Sequence, residues 1–253
     1  MIKGILIDLS GTVHIGDQAI PGAVESIRRL RREGVPFRFV TNTSRKTRAK
    51  LHDDLLRLGF EVSMAHVFTA PLAVRRYLEK KALRPYLLVH PDLVEEFAGL
   101  PQRDPDAVVV GFAQHAFTYA AMNRAFQLLQ NGATLLATGK TRYFEGTNGL
   151  ELDAGPFVTA LEYASGAKAI VLGKPSAQFF LDAVEELGFS PGETAMVGDD
   201  VVSDVEAAIG AGLRGFLVQT GKYRSGDEDR TGSPEAILAR DIDTAIDMIL
   251  GGA

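Results

Sequence analysis

Short apolar runs alternate with longer segments of helical periodicity along the whole chain. The runs are rich in Val, Ile, Leu and Phe, and their length is typical of buried strands. Between them, apolar residues recur every three or four positions, as in residues 22–33, where Ile27 and Leu30 share one face before Gly34. The predicted strands span residues 2–8, 36–41, 67–69, 85–89, 107–110, 133–138, 169–172, 194–197 and 215–218.

This alternation of strand and helix predicts parallel sheets joined by right-handed crossovers, so the predicted fold class is α/β. Two segments, residues 138–155 and 220–233, are rich in glycine and polar residues, and we predict that they are long loops. Because long loops are usually functional or mobile, we expect the first to take part in recognition through Arg142, Tyr143 or Glu145.

Composition excludes several classes of protein. The 253 residues include no cysteine, which rules out disulfides, Cys-ligated metal sites and a Cys nucleophile. The 32 acidic and 27 basic side chains give a formal net charge of −5, so we expect no nucleic-acid partner. No apolar run approaches the roughly 18 residues of a membrane span. No signal peptide is visible either, and we expect a cytoplasmic protein that does not bind membranes.

Polar residues follow four of the predicted strands. Open parallel sheets bind ligands beyond the carboxyl ends of their strands, so we expect these residues to converge on one crevice. Each segment alone is typical of a turn, a helix cap or a solvent-exposed strand end. Together they supply two acidic sites, a hydroxyl and amide cluster, and a cation. The segments are Asp8-Leu9-Ser10-Gly11-Thr12, Thr41-Asn42-Thr43-Ser44, Gly173-Lys174-Pro175, and Gly198-Asp199-Asp200 with Asp204.

This set of residues suits phosphoryl transfer, in which dense negative charge must be neutralised before a nucleophile approaches. Asp8 and Asp199 supply the carboxylates that Mg²⁺ prefers, and Lys174 supplies a cation for a phosphate oxygen. Asp8 can itself attack phosphorus. Thr41 and Asn42 can bind the remaining phosphate oxygens, together with backbone N–H groups at the start of the next helix. At Gly11 the backbone can pass close to the phosphate because the residue has no side chain.

In this order, the four segments resemble the four motifs of the haloacid dehalogenase superfamily of phosphatases. The long insertion between the second and third motifs resembles the large α/β cap of the NagD-type and 4-nitrophenyl phosphatase subfamily. The resemblance implies that Asp8 is the nucleophile, assisted by Lys174, and that Mg²⁺ is the cofactor. It implies Asp8, Asp199 and the Ser10 carbonyl as metal ligands, Asp200 and Asp204 as residues that orient the metal shell, and Ser10, Gly11, Thr41, Asn42 and Lys174 as ligands of the substrate phosphate.

The same resemblance implies a domain division. A Rossmann-like parallel-sheet core would comprise residues 1–72 and 170–253, and residues 73–169 would form the inserted α/β cap. A homodimer through the cap and a small phosphorylated substrate are further expectations of the resemblance.

Ser10 departs from the commonest pattern of the superfamily, which has a second aspartate at this position. That aspartate protonates the leaving oxygen, and a serine hydroxyl is a poor general acid or base near neutrality. We therefore expect activated phosphates, such as pyrophosphate, phosphoramidates and aryl phosphates, to be preferred over alkyl monoesters. His14 is the nearest histidine that could replace the acid, although an ordinary loop position is the simpler interpretation.

Another class of protein stays open at this point. An aspartate, Mg²⁺, a hydroxyl and a lysine also form phospho-acceptor sites, so a catalytically weak phospho-acceptor or phospho-ligand-binding protein is the alternative. A nucleotide triphosphatase is not supported. Gly139-Lys140-Thr141 resembles the end of a P-loop, but Thr134 occupies the position where that pattern requires another glycine.

Overall fold

The computed structural model describes residues 1–146, 149–230 and 236–252. Two compact units account for the chain. The first contains residues 1–41, 48–68 and 174–253, and the second contains residues 42–47 and 69–173. The division of function into a catalytic core and a cap stays a prediction.

In chain order, the strands are β1 (Gly4–Asp8), β2 (His14–Ile15), β3 (Gln18–Ala19), β4 (Phe37–Thr41), β5 (Val67–Thr69), β6 (Pro85–Leu88), β7 (Ala107–Val110), β8 (Thr134–Ala137), β9 (Tyr143–Gly146), β10 (Gly149–Leu152), β11 (Ile170–Val171), β12 (Thr194–Gly198), β13 (Arg214–Val218) and β14 (Ile237–Ala239). The helices are α1 (Ala23–Arg32), α2 (Arg48–Arg57), α3 (Ala70–Lys81), α4 (Tyr119–Gln130), α5 (Ala154–Ser165), α6 (Ala177–Leu187), α7 (Ala207–Gly210) and α8 (Ile242–Leu250). A π-helical segment, Val201–Glu206, leads into α7.

The first unit is built on a six-stranded sheet with the order β14-β13-β12-β1-β4-β5. Strands β4 and β12 both pair with β1 in parallel, with Asp8 opposite Val40 and Ile7 opposite Val197. All five residues of β1 are buried, as expected for a central strand covered on both faces. The carboxyl ends of β1, β12 and β4 therefore lie side by side at one edge of the sheet.

The second unit contains a four-stranded sheet with the order β11-β8-β7-β6, in which neighbouring strands pair in parallel. Side chains from this sheet and from α4 and α5 form its core, among them Val108, Leu129 and Val158. A separate antiparallel hairpin, β9–β10, belongs to the same unit. The structure thus has the predicted α/β class in both units.

All nine predicted strands are present, with ends that differ from the prediction by two residues or fewer. The predicted loop at residues 138–155 is wrong, because it contains the β9–β10 hairpin and the start of α5. Of the second predicted loop, residues 220–230 form turns and one short 3₁₀ turn, whereas residues 231–233 lie outside the described residues. Over the part of the chain that the structure describes, no helix is long and apolar enough to cross a membrane.

The turn after β1 buries a hydroxyl group. Thr12 is fully buried, and its Oγ1 has no hydrogen-bond partner among the described residues. A buried polar atom without a partner costs roughly 1–3 kcal/mol. The hydroxyl should therefore oppose folding rather than favour it.

Replacing Thr12 by valine should raise the free energy of unfolding by about 1 kcal/mol, because valine has nearly the same shape and no hydroxyl to desolvate. Urea denaturation of the two proteins measures the difference. Thr12→Ser is the matched control, since it keeps the hydroxyl and loses a buried methyl, and it should lower stability by about 1 kcal/mol. A less stable valine variant would contradict the assignment.

Candidate active site

Two acidic residues lie where neighbouring strands of the first sheet end. Asp8 is the last residue of β1, and Asp199 directly follows β12. The two strands pair in parallel, so both carboxylates are at the same edge of the sheet. Both side chains are buried. The convergence predicted from the sequence is thus present for these two acids.

Lys174 reaches this edge from outside the six-stranded sheet. Its ammonium group forms ion pairs with Asp8 Oδ1 and, at 2.6 Å, with Asp204 Oδ1. The lysine side chain is only 6% exposed. The strand before Lys174 is β11, which belongs to the four-stranded sheet and not to the sheet of β1 and β12. The ammonium is nevertheless stable at the strand ends, because both of these carboxylates pair with it and accept its hydrogen bonds.

The segment after β12 positions Asp200 and Asp204 differently. Asp200 caps the π-helical segment, where its Oδ1 accepts the backbone N–H groups of Val202 and Ser203. Asp204 lies one turn later, and its Oδ2 accepts the backbone N–H of Asp200 at 3.2 Å. Gly198 is required beside it, because a Cβ at that residue would lie 2.4 Å from the Asp204 Cβ.

Three carboxylates meet at this edge. The ligand atoms of Asp8, Asp199 and Asp204 all lie within 4.8 Å of one another, so the three could hold a metal ion. The role predicted for Asp204, which is to orient the metal shell, stays a prediction. Its carboxylate lies in this cluster and also accepts a hydrogen bond from the Lys174 ammonium.

Burial and mutual repulsion raise the proton affinity of this cluster. Burial raises the pKa of Asp199 to about 6 even though its carboxylate accepts a backbone N–H group. Burial also raises the pKa of Asp204 to about 6 and raises that of Asp8, against the opposing effect of Lys174. For Lys174, burial works to lower the pKa, but the two carboxylates outweigh it and the pKa rises. Lys174 therefore stays positively charged, but its single charge does not balance the negative charges of the neighbouring carboxylates.

The remaining predicted residues fall in several places. Thr41 is buried at the end of β4, beside β1. Ser10 is exposed in the turn after β1. Gly11 lies against Asp199, and a Cβ there would be 2.0 Å from Asp199 Oδ2. Asn42 belongs to the second unit, where a Cβ on Gly173 would lie 2.6 Å from its Oδ1.

Two further expectations concern side chains that could assist the reaction. His14 lies in the short strand β2, and its Nδ1 donates a hydrogen bond to the carbonyl of Gly16 at 3.0 Å, a local contact within the β2–β3 hairpin. Arg142 and Tyr143 lie in the second unit, with the guanidinium carbon of Arg142 5.5 Å from the centre of the tyrosine ring. The side chain of Glu145 is outside what the structure describes.

Sequence reasoning missed a contribution from the loop after β13. The backbone N–H of Lys222 donates to Asp199 Oδ2 at 2.7 Å, and its ammonium donates to Asp200 Oδ2 at 3.0 Å. The hydroxyl of Thr220 donates to the Gly11 carbonyl. One signal was available: the loop follows strand 215–218, which ends at the same edge as β12.

The chemistry of this cluster suits one class of reaction. Buried carboxylates beside an ammonium group, at the strand ends of an α/β sheet, could bind and transfer an anionic group. Comparisons with known proteins agree with that class. The family model described as haloacid dehalogenase-like hydrolase matches residues 5–100, and a second HAD-hydrolase-like model matches residues 171–245.

Similarity to individual proteins extends over nearly the whole chain. The chain is 47% identical to haloacid dehalogenase-like hydrolase domain-containing protein 2 of Bos taurus, covering 98% of this chain and 96% of that protein. It is 41% identical to phospholysine phosphohistidine inorganic pyrophosphate phosphatase of Xenopus laevis, with coverage of 98% and 95%. Among solved structures, the 4-nitrophenylphosphatase of Thermotoga maritima superimposes with a TM-score of 0.88 at 27% identity, covering 97% and 96%.

The chain therefore belongs to the haloacid dehalogenase-like hydrolase family. It is an enzyme of the phosphatase type within that family, as the resemblance of its motifs predicted.

The raised pKa of Asp199 makes the stability of the metal-free protein depend on pH. Because the folded state binds this proton more tightly than the unfolded chain, stability is highest below pH 4 for this group and is lost as the pH rises through about 6. In EDTA at pH 7.5, Asp199→Asn should therefore be more stable than the wild type by about 2 to 3 kcal/mol. The difference should shrink by pH 5 in denaturant titrations.

The control for the change of charge is Asp17→Asn, at an exposed turn position. A stability difference between wild type and Asp199→Asn that is the same at pH 5 and pH 7.5 would show that the charged carboxylate is not destabilised by its burial.

Proposed function

We propose that this chain is a Mg²⁺-dependent phosphatase that hydrolyses small phosphorylated substrates through an aspartyl-phosphate on Asp8. It favours activated phosphates, namely pyrophosphate, phosphoramidates and aryl phosphates. The observation that supports the proposal most directly is the position of Asp8. Its buried carboxylate lies at a strand end and forms an ion pair with Lys174. One of its oxygens lies within 4.8 Å of a carboxylate oxygen of Asp199 and of one of Asp204.

The charge of the site fits a divalent cation. Asp8, Asp199 and Asp204 contribute three negative charges when ionised, Lys174 contributes one positive charge, and the difference is two negative charges. Hard carboxylate oxygens are the ligands that Mg²⁺ prefers. We propose that Asp8, Asp199 and the Ser10 carbonyl bind the ion and that Asp200 and Asp204 orient it. When bound, Mg²⁺ would neutralise charge on the transferring phosphoryl group.

The chemistry of the chain's own residues follows from the ion pair. Lys174 donates a hydrogen bond to Asp8 Oδ1, and we propose that the other carboxylate oxygen attacks phosphorus. The bond from phosphorus to the leaving group breaks as the Asp8 oxygen binds, and the leaving group keeps the electron pair. Water then attacks the aspartyl-phosphate, releasing phosphate and restoring the carboxylate. Ser10, Gly11, Thr41, Asn42 and Lys174 are the proposed ligands of the phosphoryl oxygens.

The preference for activated phosphates depends on Ser10. A serine hydroxyl cannot supply a proton near neutrality, so the leaving group must depart with little protonation or take its proton from water. Pyrophosphate and aryl phosphates meet this condition. Two of the similar proteins are named as a phosphatase of phospholysine, phosphohistidine and pyrophosphate and as a 4-nitrophenylphosphatase, which supports the same preference.

The domain roles complete the proposal. We propose that residues 1–72 and 170–253 form the catalytic core, that residues 73–169 form the cap, and that a homodimer assembles through the cap. We also propose that the protein is located in the cytoplasm.

Replacing Asp8 by asparagine should lower turnover of 4-nitrophenyl phosphate by at least about 10³, because no aspartyl-phosphate can form. Steady-state assays with Mg²⁺ measure the loss. Asp17→Asn changes the same functional group at an exposed position of the same segment and should retain activity. Activity of Asp8→Asn near the wild-type level would exclude Asp8 as the nucleophile.

A substrate panel tests the role of Ser10. Wild type should cleave pyrophosphate, a phosphoramidate and 4-nitrophenyl phosphate faster than a sugar phosphate, whereas Ser10→Asp should gain roughly 10²-fold or more on the sugar phosphate. Ser10→Asn is the control without an acid. Faster cleavage of the sugar phosphate by the wild type would contradict the preference. A burst of phosphorylation without steady turnover would instead favour a phospho-acceptor.

A further inference from the structure

The loop after β13 encloses one carboxylate of the cluster. We infer that residues 220–222 are a positioning element that fixes the orientation of Asp199 and thereby sets the affinity of the site for a divalent cation. This inference rests on the proposed Mg²⁺ dependence. Its structural basis lies in contacts that involve Gly11, Gly221 and Lys222, and the last two of these have no proposed contact with the substrate.

The first contact is steric. A Cβ on Gly11 would lie 2.0 Å from Asp199 Oδ2, and a Cβ on Gly221 would lie 2.1 Å from the same oxygen. The Gly221 Cβ would also lie 2.4 Å from the Cα of Gly11. The carboxylate oxygen therefore occupies a slot between two backbone segments that is open only because both residues are glycine. Within this slot the side chain of Asp199 has little freedom to rotate.

The second contact is a hydrogen bond from the same loop. The backbone N–H of Lys222 donates to Asp199 Oδ2 at 2.7 Å, a distance typical of a bond to a charged acceptor. Since Oδ2 is held in this way, the orientation of the whole carboxylate is fixed before any cation binds. Pre-oriented ligands bind a metal more tightly than ligands that must first be ordered.

Side chains at both ends of residues 220–222 form hydrogen bonds with neighbouring segments. The hydroxyl of Thr220 donates to the carbonyl of Gly11, which links the loop to the turn after β1. The ammonium of Lys222 donates to Asp200 Oδ2 at 3.0 Å, and Asp200 in turn caps the π-helical segment. The lysine side chain is 71% exposed, so this outer contact is weaker than the backbone contacts.

A purely structural role is disfavoured by the surroundings of Gly221. The residue is exposed to solvent, and the nearest atoms to a Cβ at this position belong to Asp199 and Gly11 rather than to core side chains. A side chain at this position would thus disturb the carboxylate more directly than the hydrophobic core.

The test compares Gly221→Ala with Gly226→Ala in the full chain. Both glycines have positive φ angles, +59° and +93°, but a Cβ on Gly226 would meet no atom within 4 Å. The two variants therefore introduce the same side chain into left-handed backbone, and only one collides with Asp199. Titration calorimetry with Mg²⁺ alone measures the affinity, and thermal unfolding in EDTA measures the stability without metal.

Gly221→Ala should weaken Mg²⁺ binding by about 10- to 100-fold, as loss of an outer contact to a metal ligand typically does. The Mg²⁺ affinity of Gly226→Ala should stay within about twofold of the wild-type affinity, since this substitution strains the backbone without contacting Asp199. Equal Mg²⁺ affinity of wild type and Gly221→Ala would overturn the inference and leave the proposed function intact. A wild-type protein that binds no Mg²⁺ would overturn the proposed function, and the inference with it.

Thr220→Val keeps the test decisive even where Gly221→Ala does not fold. It preserves side-chain shape and removes the donor to the Gly11 carbonyl, so Mg²⁺ affinity should fall about fivefold, the equivalent of one neutral hydrogen bond. Lys222→Met retains the backbone N–H and should have a smaller effect than Thr220→Val. A larger loss in Lys222→Met would place the effect in the ammonium group and overturn the role assigned to the backbone.

Discussion

The ammonium group of Lys174 lies buried between the carboxylates of Asp8 and Asp204 and joins them into one cluster. Moving an isolated charge into a protein interior costs several kcal/mol, and the ion pairs of Lys174 with Asp8 and Asp204 offset that cost. These ion pairs link three distant parts of the first unit: the end of β1, the π-helical segment after β12, and the chain after β11. The same ion pair leaves the carboxylates in excess, and this excess makes the edge of the sheet suitable for a divalent cation and a phosphoryl group.

Close approach of backbone to carboxylate is the second constraint. Gly11, Gly198 and Gly221 each lie where a Cβ would collide with Asp199 or Asp204. Since backbone atoms cannot move aside as side chains can, the carboxylates are confined by the fold itself. The close approach of backbone to these carboxylates is possible because the three residues have no side chain, and it limits how far the carboxylates can rotate.

Much of the fold could be predicted because parallel strands buried on both faces leave a continuous apolar run in the chain, as β1 and β7 do. The β9–β10 hairpin left no such signal. Leu150 and Leu152 are exposed, so the segment has the composition of a loop. Strand β14 was also missed, and only one of its three residues is buried. The polar strand ends were predicted because each follows such an apolar run directly.

The alternation of strands and helices and the residue types at the strand ends could be predicted, because both depend on neighbours in the chain. Three features emerge only from the packing of the whole chain: Lys174 follows a strand of the four-stranded sheet, Asp204 lies in the carboxylate cluster, and residues 220–222 enclose Asp199. These are contacts between segments far apart in sequence. Local periodicity specifies which face of an element is buried, whereas the partner of a buried charge depends on how all the elements pack.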